Sequence, residues 1–528
     1  MNSESSQSDR FGRNSLTTLY QGIASAVLSK GKGTRHTPNA VTIKILSPLP
    51  PEVDVPFLKG CGTIYTMNQP KILNPKATDQ PSYPQACKEY SNSFCRDKDS
   101  LEKKFQSLGK YLPRWQPQAM HILIYSYNYY PEPIGIAPLI TELAEGLVKR
   151  GHKVRVVTGM PNYPQRRIYE GYRGKLYLTE LTNGVAVQRS YVWVRPKPNL
   201  LDRLLLEVSF VVTSFVHALK GQRPDVIFIT VPPLPVSVPA AILGWIHRCP
   251  VVLNLQDILP DAAVNVGLLK NPKLIRLFEI LEKFAYRTAS KICVIAEEFV
   301  KHLHNKGVPA DKIVQIPNWV DVDFIRPLPK EQNEFRTKHQ LNDKFIVLYS
   351  GNIALTQGLE TAIEAAAHLL HIPDIALVIV GEQDALQQLQ QLCDKCGATN
   401  VTLLPFQPRE KLPEMLAAAD VGLVLQKQHV VCFNMPSKIQ VLLGSGRAIV
   451  ASVPLTGTAA RAIVDSGGGV VVPPEAPDAL AEVILELYND PEKVKVLGEK
   501  GRQYALNNYT FEKALNQYEE LFAAVQEP

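Results

Sequence analysis

Glu132 stands between two prolines and shortly before a glycine, in the stretch Tyr130-Pro-Glu-Pro-Ile-Gly135. Pro131 and Pro133 stiffen such a turn, and Gly135 lets backbone approach a neighbour with no Cβ in the way. The arrangement is poor for local stability, so it reads as a surface against which a ligand sits. A second spacing with chemical potential is Cys393-Asp-Lys-Cys396. Zinc or redox chemistry would need more than this, because the pair has no second C-x-x-C and no nearby pair of histidines.

Such groups need a scaffold, and from Met120 onward the sequence supplies one in a regular pattern. Apolar runs of strand length, HILIYSY, KVRVVTG, VAVQRSYV, DVIFITV, VVLNLQD and KICVIA, alternate with helical stretches such as APLITELAEGLVKRG. Beyond IPNWVDVDFIRP the alternation restarts with FIVLYSG, IALVIVGE, VTLLPF, VGLVLQ, RAIVASV and GGVVVP. Apolar strands alternating with helices predict parallel sheets covered on both faces. Two sets joined near residue 320 predict two doubly wound α/β domains facing each other. Their ligands belong in the cleft, beyond the carboxyl ends of the strands.

Composition agrees. The 528 residues exceed one ordinary core, and 45% hydrophobic with 20% charged residues is a globular balance. The formal charge of +7 sits in residues 1–119, which hold 16 basic and 9 acidic residues, while the remainder holds 41 of each. A neutral remainder argues against nucleic acid as a partner. Residues 1–119 are patchy and rich in Pro, Ser and Asn, and are expected to form a largely disordered extension outside the fold. Only Leu16, Leu19, Tyr20, Ile23 and Val27 share a helical face there, as a marginal amphipathic stub or a membrane-surface helix. The first residues mix acids with bases and do not read as a secretory signal. Eight scattered cysteines suggest a reducing compartment rather than a disulfide framework. No apolar run is long enough to span a bilayer. VPPLPVSVPAAILGWI and LLLEVSFVVTSFVHAL read as core or interdomain helices, with a monotopic membrane contact left open.

Five motifs then occur in a fixed order. HILIYSYNYYPEPIGIAPLITELAEGLVKRGHKVRVVTG is followed by QDILPDAA, KGVPADKIVQIPNWVDVDFIRP, YSGNIALTQGLE and MPSKIQVLLGSGRAIVAS. Together, over residues 120–510, they resemble the colanic-acid-type branch of the retaining GT-B glycosyltransferases. The resemblance implies an acceptor-side Rossmann-like domain at 120–318, a donor-binding one at 319–505, and a C-terminal helix, 506–528, returning toward the first. It also implies sugar transfer from a nucleotide-sugar donor to a saccharide or polyprenyl-linked saccharide, in exopolysaccharide or cell-surface glycan biosynthesis. Neither metal nor cofactor is expected. The expected location is cytoplasmic, with peripheral contact at the inner face of the plasma membrane.

Roles follow residue by residue from that resemblance. In the first domain, Asp257 of the Gln256-Asp257 pair is the expected catalytic carboxylate, hydrogen-bonding the acceptor hydroxyl or orienting the donor sugar. It could equally cap the following turn. Glu132 is the second expected catalytic residue, able to accept acceptor hydroxyls or else merely solvated, and Gly135 is expected to bind the donor. Relatives usually have a second glycine where Ala137 stands. In the second domain, Gly351, Asn352, Gln357 and Gly358 form a strand-to-helix loop whose backbone N–H groups can meet the β-phosphate. Many relatives place an Arg and a Lys where Asn352 and Gln357 stand, which leaves the diphosphate short of charge. Lys438 is the best compensating cation, and Pro436 and Ser437 before it are expected to bind the donor with it. The paired glutamates of many relatives fall on Phe433 and Val441, so Glu382 is expected to take over polar contacts, with Phe406 and Gln407 lining the base slot.

Asp321 and Asp323 form a D-x-D pattern, which holds a divalent metal in the other large glycosyltransferase fold. Two acids without further ligands are thin for magnesium. A catalytically degenerate sugar-binding protein and a nucleotide-sugar epimerase are the alternatives on similar layers. A dinucleotide oxidoreductase is opposed by the lack of G-x-G-x-x-G and of an acid at the end of the second strand.

Overall fold

The computed structural model describes residues 118–526, apart from Ile134, Val266, Leu355 and residues 431–434. The expectations for residues 1–117 and for Phe433 lie outside the described residues.

Two sheets organise the chain. The first contains β1 (His121–Tyr125), β2 (Lys153–Gly159), β3 (Tyr177–Thr182), β4 (Val185–Ser190), β5 (Val226–Val231), β6 (Val251–Leu255), β7 (Lys291–Val294) and β8 (Ile313–Gln315). Their order across the sheet is β3-β4-β2-β1-β5-β6-β7-β8. The second contains β9 (Phe345–Ser350), β10 (Ile375–Gly381), β11 (Val401–Pro405), β12 (Val421–Leu425), β13 (Ala448–Ser452) and β14 (Gly469–Val472), ordered β11-β10-β9-β12-β13-β14. All six residues of β5 and all seven of β10 are buried, as strands covered on both faces must be. The helices between them bury one stripe: Ile140, Leu143, Ala144 and Leu147 of the Ala137–Lys149 helix face the first sheet's core.

The all-parallel expectation needs one correction. β3 runs antiparallel to β4 at the edge of the first sheet. Asn183 and Gly184 join them with φ of 51° and 82°, the left-handed pair that a two-residue hairpin requires.

The Phe511–Ala524 helix packs into the first domain. Leu515, Tyr518 and Phe522 join Ile122, Val154 and Phe228 in one core cluster, and Asn254 Nδ2 donates to Tyr518 Oη at 2.7 Å. The crossover between the domains is pinned as well, with Trp319 Nε1 donating to Glu142 at 2.5 Å and Val320 N to Tyr509 O at 2.9 Å.

A second correction concerns the two stretches read as core or interdomain helices. The Leu200–Ala218 and Ser237–His247 helices lie on the surface of the first domain, where Val208 and Val212 are more than half exposed and Trp245 is 81% exposed. Among the described residues, no helix is long and apolar enough to cross a membrane.

Candidate active site

Strand order reverses between β1 and β5 in the first sheet and between β9 and β12 in the second. Crevices open at such points, beyond the carboxyl ends of the strands. The donor-side residues expected in the second domain follow the ends of its strands, while Gly135 lies in the turn after β1 of the first.

β9 ends at Ser350, and residues 351–358 lead into the Leu359–His368 helix, whose first turn opens on the loop. After β12 the chain returns as the short Lys438–Gly444 helix. Gly351 has a φ of 138°, and a Cβ there would lie 3.5 Å from Lys438 Nζ. Any other residue would be strained at this φ, and its Cβ would lie in van der Waals contact with the Lys438 side chain. Lys438 Nζ is buried without a hydrogen-bond partner and stands 3.6 Å from the centre of the Tyr349 ring. Burial pulls its pKa down to about 7. This is not the solvated lysine of an ordinary helix start. An ammonium withdrawn from water with no acceptor is costly unless an anion completes the site.

Tyr349 also fixes the loop, donating through its hydroxyl to Asn352 O at 2.7 Å and, more weakly, to Gln357 Oε1 at 3.4 Å. Gly381 lies beneath the same loop, since a Cβ on it would collide with Ile353. Exposed Glu382 opens the Gln383–Cys396 helix with no side-chain cap. Phe406, half-exposed, donates its N–H to Gly381 O at 3.1 Å, which brings the ends of β10 and β11 together. Gln407 turns its amide back to Pro405 O at 2.8 Å. Pro436 is buried, Ser437 is exposed, and Val441 sits half-buried on the Lys438–Gly444 helix.

The first domain is built differently. Gly135 adopts a φ of 74° in the turn after β1. Glu132 is neither solvated nor turned outward: it is 4% exposed. Its Oε1 accepts from the backbone N–H groups of Asn162 at 2.8 Å and Tyr163 at 2.9 Å, and its Oε2 accepts from Asn128 Nδ2 at 2.6 Å. Burial raises its pKa against these bonds. The carboxylate staples the turn after β1 to the segment after β2. That corrects the expectation of a carboxylate presented to a substrate hydroxyl.

Asp257 follows β6, where Gln256 and Asn318 exchange amide hydrogen bonds at 2.7 and 3.3 Å. Among the described residues the Asp257 carboxylate makes no hydrogen bond, so it does not cap the following turn. Burial holds its pKa up at about 6. The two halves of the cleft are within electrostatic reach of each other. The Tyr163 phenol, raised chiefly by burial, is raised further by Glu382 of the second domain and by Glu132.

The remaining motifs have local roles. The Asp321 carboxylate accepts from the backbone N–H groups of Asp323 at 3.1 Å and Phe324 at 2.9 Å, which is a turn rather than an open metal loop. Cys393 is buried and Cys396 half-buried on one helix, and both are free.

Three residues near the cleft escaped the sequence reading. Tyr349 carries the signal of an aromatic one residue before the end of β9. Lys427, just past β12, pairs with Glu360 at 2.5 Å beside Gly358. Arg189, wholly buried on β4, donates to Tyr130 O at 2.6 Å and to Glu180 at 2.5 Å, while its Nη1 has no partner. The sequence hint of it was a charge near the end of a strand that begins apolar, Val185-Ala-Val-Gln-Arg-Ser190.

Comparison with known proteins fits this geometry. Residues 135–319 match the family model described as Glycosyl transferase 4-like domain, and residues 331–504 match Glycosyl transferases group 1. A protein of Escherichia coli K12 named as a colanic acid biosynthesis glycosyl transferase, WcaI, is 32% identical over 407 residues, covering 76% of this chain and 98% of the relative. The chain belongs to the colanic-acid-type GT-B glycosyltransferases. Solved structures share the transferase's fold. The Anabaena protein Alr3699/HepE, solved with UDP-glucose, matches with a TM-score of 0.57 at 19% identity over 77% of this chain and all of that one. Sucrose-phosphate synthase from Thermosynechococcus elongatus matches with a TM-score of 0.60, also at 19% identity over 77% of this chain and all of its own.

Proposed function

We propose that this transferase moves a sugar, with retention, from a nucleoside-diphosphate sugar to a saccharide or polyprenyl-linked saccharide, without a divalent metal. It would act in exopolysaccharide or cell-surface glycan synthesis, in the cytoplasm, with peripheral contact at the inner face of the plasma membrane. The donor half is assigned to residues 319–505 and the acceptor half to residues 120–318. The observation that carries the reading is the buried Lys438 Nζ, which lies over the Tyr349 ring beside Gly351 and has no hydrogen-bond acceptor.

In this reading the diphosphate lies in the loop from Gly351 to Gly358. Lys438 Nζ and the first N–H groups of the Leu359–His368 helix receive the charge that develops as the glycosidic bond breaks. Neutral Asn352 and Gln357 contribute hydrogen bonds but no charge. The acceptor hydroxyl attacks the anomeric carbon from the side of the departing phosphate, whose oxygen takes the hydroxyl proton. Asp257 orients that hydroxyl or the donor sugar. Glu382 meets the donor hydroxyls, and Phe406 with Gln407 lines the base slot. Glu132 acts as a positioning residue, holding the turn at Gly135 in place.

Calorimetric titration of UDP and uridine tests the phosphate assignment. A charge-assisted hydrogen bond contributes about 1.5–3 kcal/mol, so Lys438→Ala is expected to weaken UDP roughly ten- to a hundredfold and leave uridine nearly unchanged. Lys438→Gln should recover little. Equal weakening of both ligands would mean that Lys438 supports the fold or the base slot, and the phosphate assignment would fall.

A further inference from the structure

The first domain carries an apolar face that the chemistry above does not use. On the Leu200–Ala218 helix, Leu201, Leu205, Val208, Val212 and Val216 are exposed at three- and four-residue spacing, so they form one stripe. Ile242, Trp245 and Ile246 do the same on the Ser237–His247 helix, and Leu277, Ile280 and Phe284 on the Pro272–Thr288 helix. Between the first and third of these helices runs an open groove of about 510 Å³, floored by Pro235 and Val238 and walled by Leu204, Val208, Leu277 and Leu281. Val238 lies one helical turn before Ile242, so the groove and all three stripes are continuous.

The groove is placed where it can serve the reaction. The Leu200–Ala218 helix starts beyond the carboxyl end of β4, and the turn at Pro235 follows the carboxyl end of β5. Both ends lie on the edge of the sheet that bears Asp257. Among the described residues, the only ionisable side chain lining the groove is Glu207. Its Oε2 is buried without a partner, and burial holds the carboxyl up at about 7, so much of it is uncharged at neutral pH. A groove of this kind does not repel hydrocarbon.

Charge decides what covers the face. Exposed Arg203, Lys220, Arg248, Lys270, Lys273 and Arg276 flank the three helices, with Glu279 as the exposed acid on the third. A second copy docking symmetrically would set this basic rim against itself. Apolar side chains framed by Lys and Arg, with a protruding tryptophan, are the features of a surface that rests in a lipid headgroup region.

We propose that this three-helix face docks on an anionic bilayer leaflet, and that the groove takes a lipid hydrocarbon chain from it. The proposal deepens the membrane contact assigned above and rests on it, but it stands apart from the transfer chemistry.

Co-sedimentation of the full chain with vesicles tests it. Phosphatidylcholine vesicles containing phosphatidylglycerol should bind the protein, less strongly as salt rises, and pure phosphatidylcholine vesicles should bind it far more weakly. Leu277 and Ile280 are 57% and 59% exposed, so Leu277→Glu/Ile280→Glu should fold and still bind UDP. With two apolar side chains replaced by two carboxylates on the membrane-facing side, its partitioning onto the anionic vesicles should fall about tenfold or more. Val464→Glu, at a 65% exposed position of the second domain, should change nothing. The wild-type chain provides a readout free of folding effects: brominated lipid should quench its fluorescence, and Trp245→Phe should remove most of that quenching. The proposal fails if the wild type ignores phosphatidylglycerol, if the double variant binds as the wild type does, or if that variant instead disperses a dimer. A protein that docks but transfers no sugar to a water-soluble saccharide leaves this proposal standing and sinks the transferase reading.

Discussion

Lys438 in the second domain and Glu132 in the first are both charged side chains taken out of water beside a glycine turn. Their surroundings are opposite. Glu132 has three donors on its two oxygens, two of them backbone N–H groups that cannot move away. Lys438 has an aromatic ring on one side, a glycine on the other and no hydrogen-bond acceptor. One charge completes a structure, and the other waits for a ligand to complete it. Burial alone therefore does not separate a structural charge from a functional one. The number of partners left unmade does, because leaving a buried polar group unpaired costs more than a typical hydrogen bond gains.

The largest effect is expected where neither description holds. Among the described residues Asp257 has no hydrogen-bond partner, and burial holds its carboxyl up at about 6. Asp257→Asn should lower turnover of the nucleotide sugar about a hundredfold or more while UDP binding stays within twofold. In the wild type, turnover should fall as pH drops through about 6, because the protonated carboxyl no longer accepts a hydroxyl proton in a hydrogen bond. That acid limb should vanish in the variant. A variant that loses UDP binding in step with turnover would place Asp257 on the donor side and break the division between the halves.

Next come the two buried charges themselves, which should answer removal with opposite signs. Glu132→Ala leaves the N–H groups of Asn162 and Tyr163 without an acceptor, a loss of about 1–3 kcal/mol read as a lower melting temperature, with UDP binding intact. Lys438→Met removes a desolvated charge, so the free protein should melt higher while UDP binding weakens. If both variants melt lower and both keep UDP, Lys438 is structural and the comparison fails.

This asymmetry was only partly legible in the sequence. Alternating strands and helices were enough for two doubly wound domains, because apolar strands that alternate with helices form parallel sheets covered by those helices on both faces. Lys438 and Gly351 were also legible, since each follows a strand end and the two strands meet where the order reverses. The burial of Glu132 was not, because two of its three partners, the N–H groups of Asn162 and Tyr163, come from a segment thirty residues away that carries no motif. The β3–β4 hairpin was marked by Asn183-Gly184, but the run before it, Tyr177–Thr182, mixes polar and apolar residues and reads weakly as a strand. The exposed stripes were misread for a physical reason. A helix pattern gives the width of an apolar face and says nothing of what lies against it.

The smallest effect is the most diagnostic, since it follows the proton on Lys438 directly. The group's pKa in the folded protein is about 7, below the ordinary 10.5, so the unfolded chain binds more protons between those values. Stability should therefore rise with pH through that window, and this contribution should disappear in Lys438→Met. Ligand binding runs the other way. At about pH 8 roughly nine-tenths of Lys438 is neutral in the free protein, while a diphosphate beside Nζ favours the ammonium. UDP should then bind with uptake of close to one proton at about pH 8, where its phosphates are ionised, and with net proton release at about pH 6, where the lysine is already charged and the terminal phosphate, with a second pKa of about 6, gives up its proton. The slope of apparent binding enthalpy against buffer ionisation enthalpy measures that uptake. Its absence in Lys438→Ala at about pH 8 would fix the proton on this residue. The same uptake in the variant would move it to another group and leave the Lys438 ammonium without its ligand.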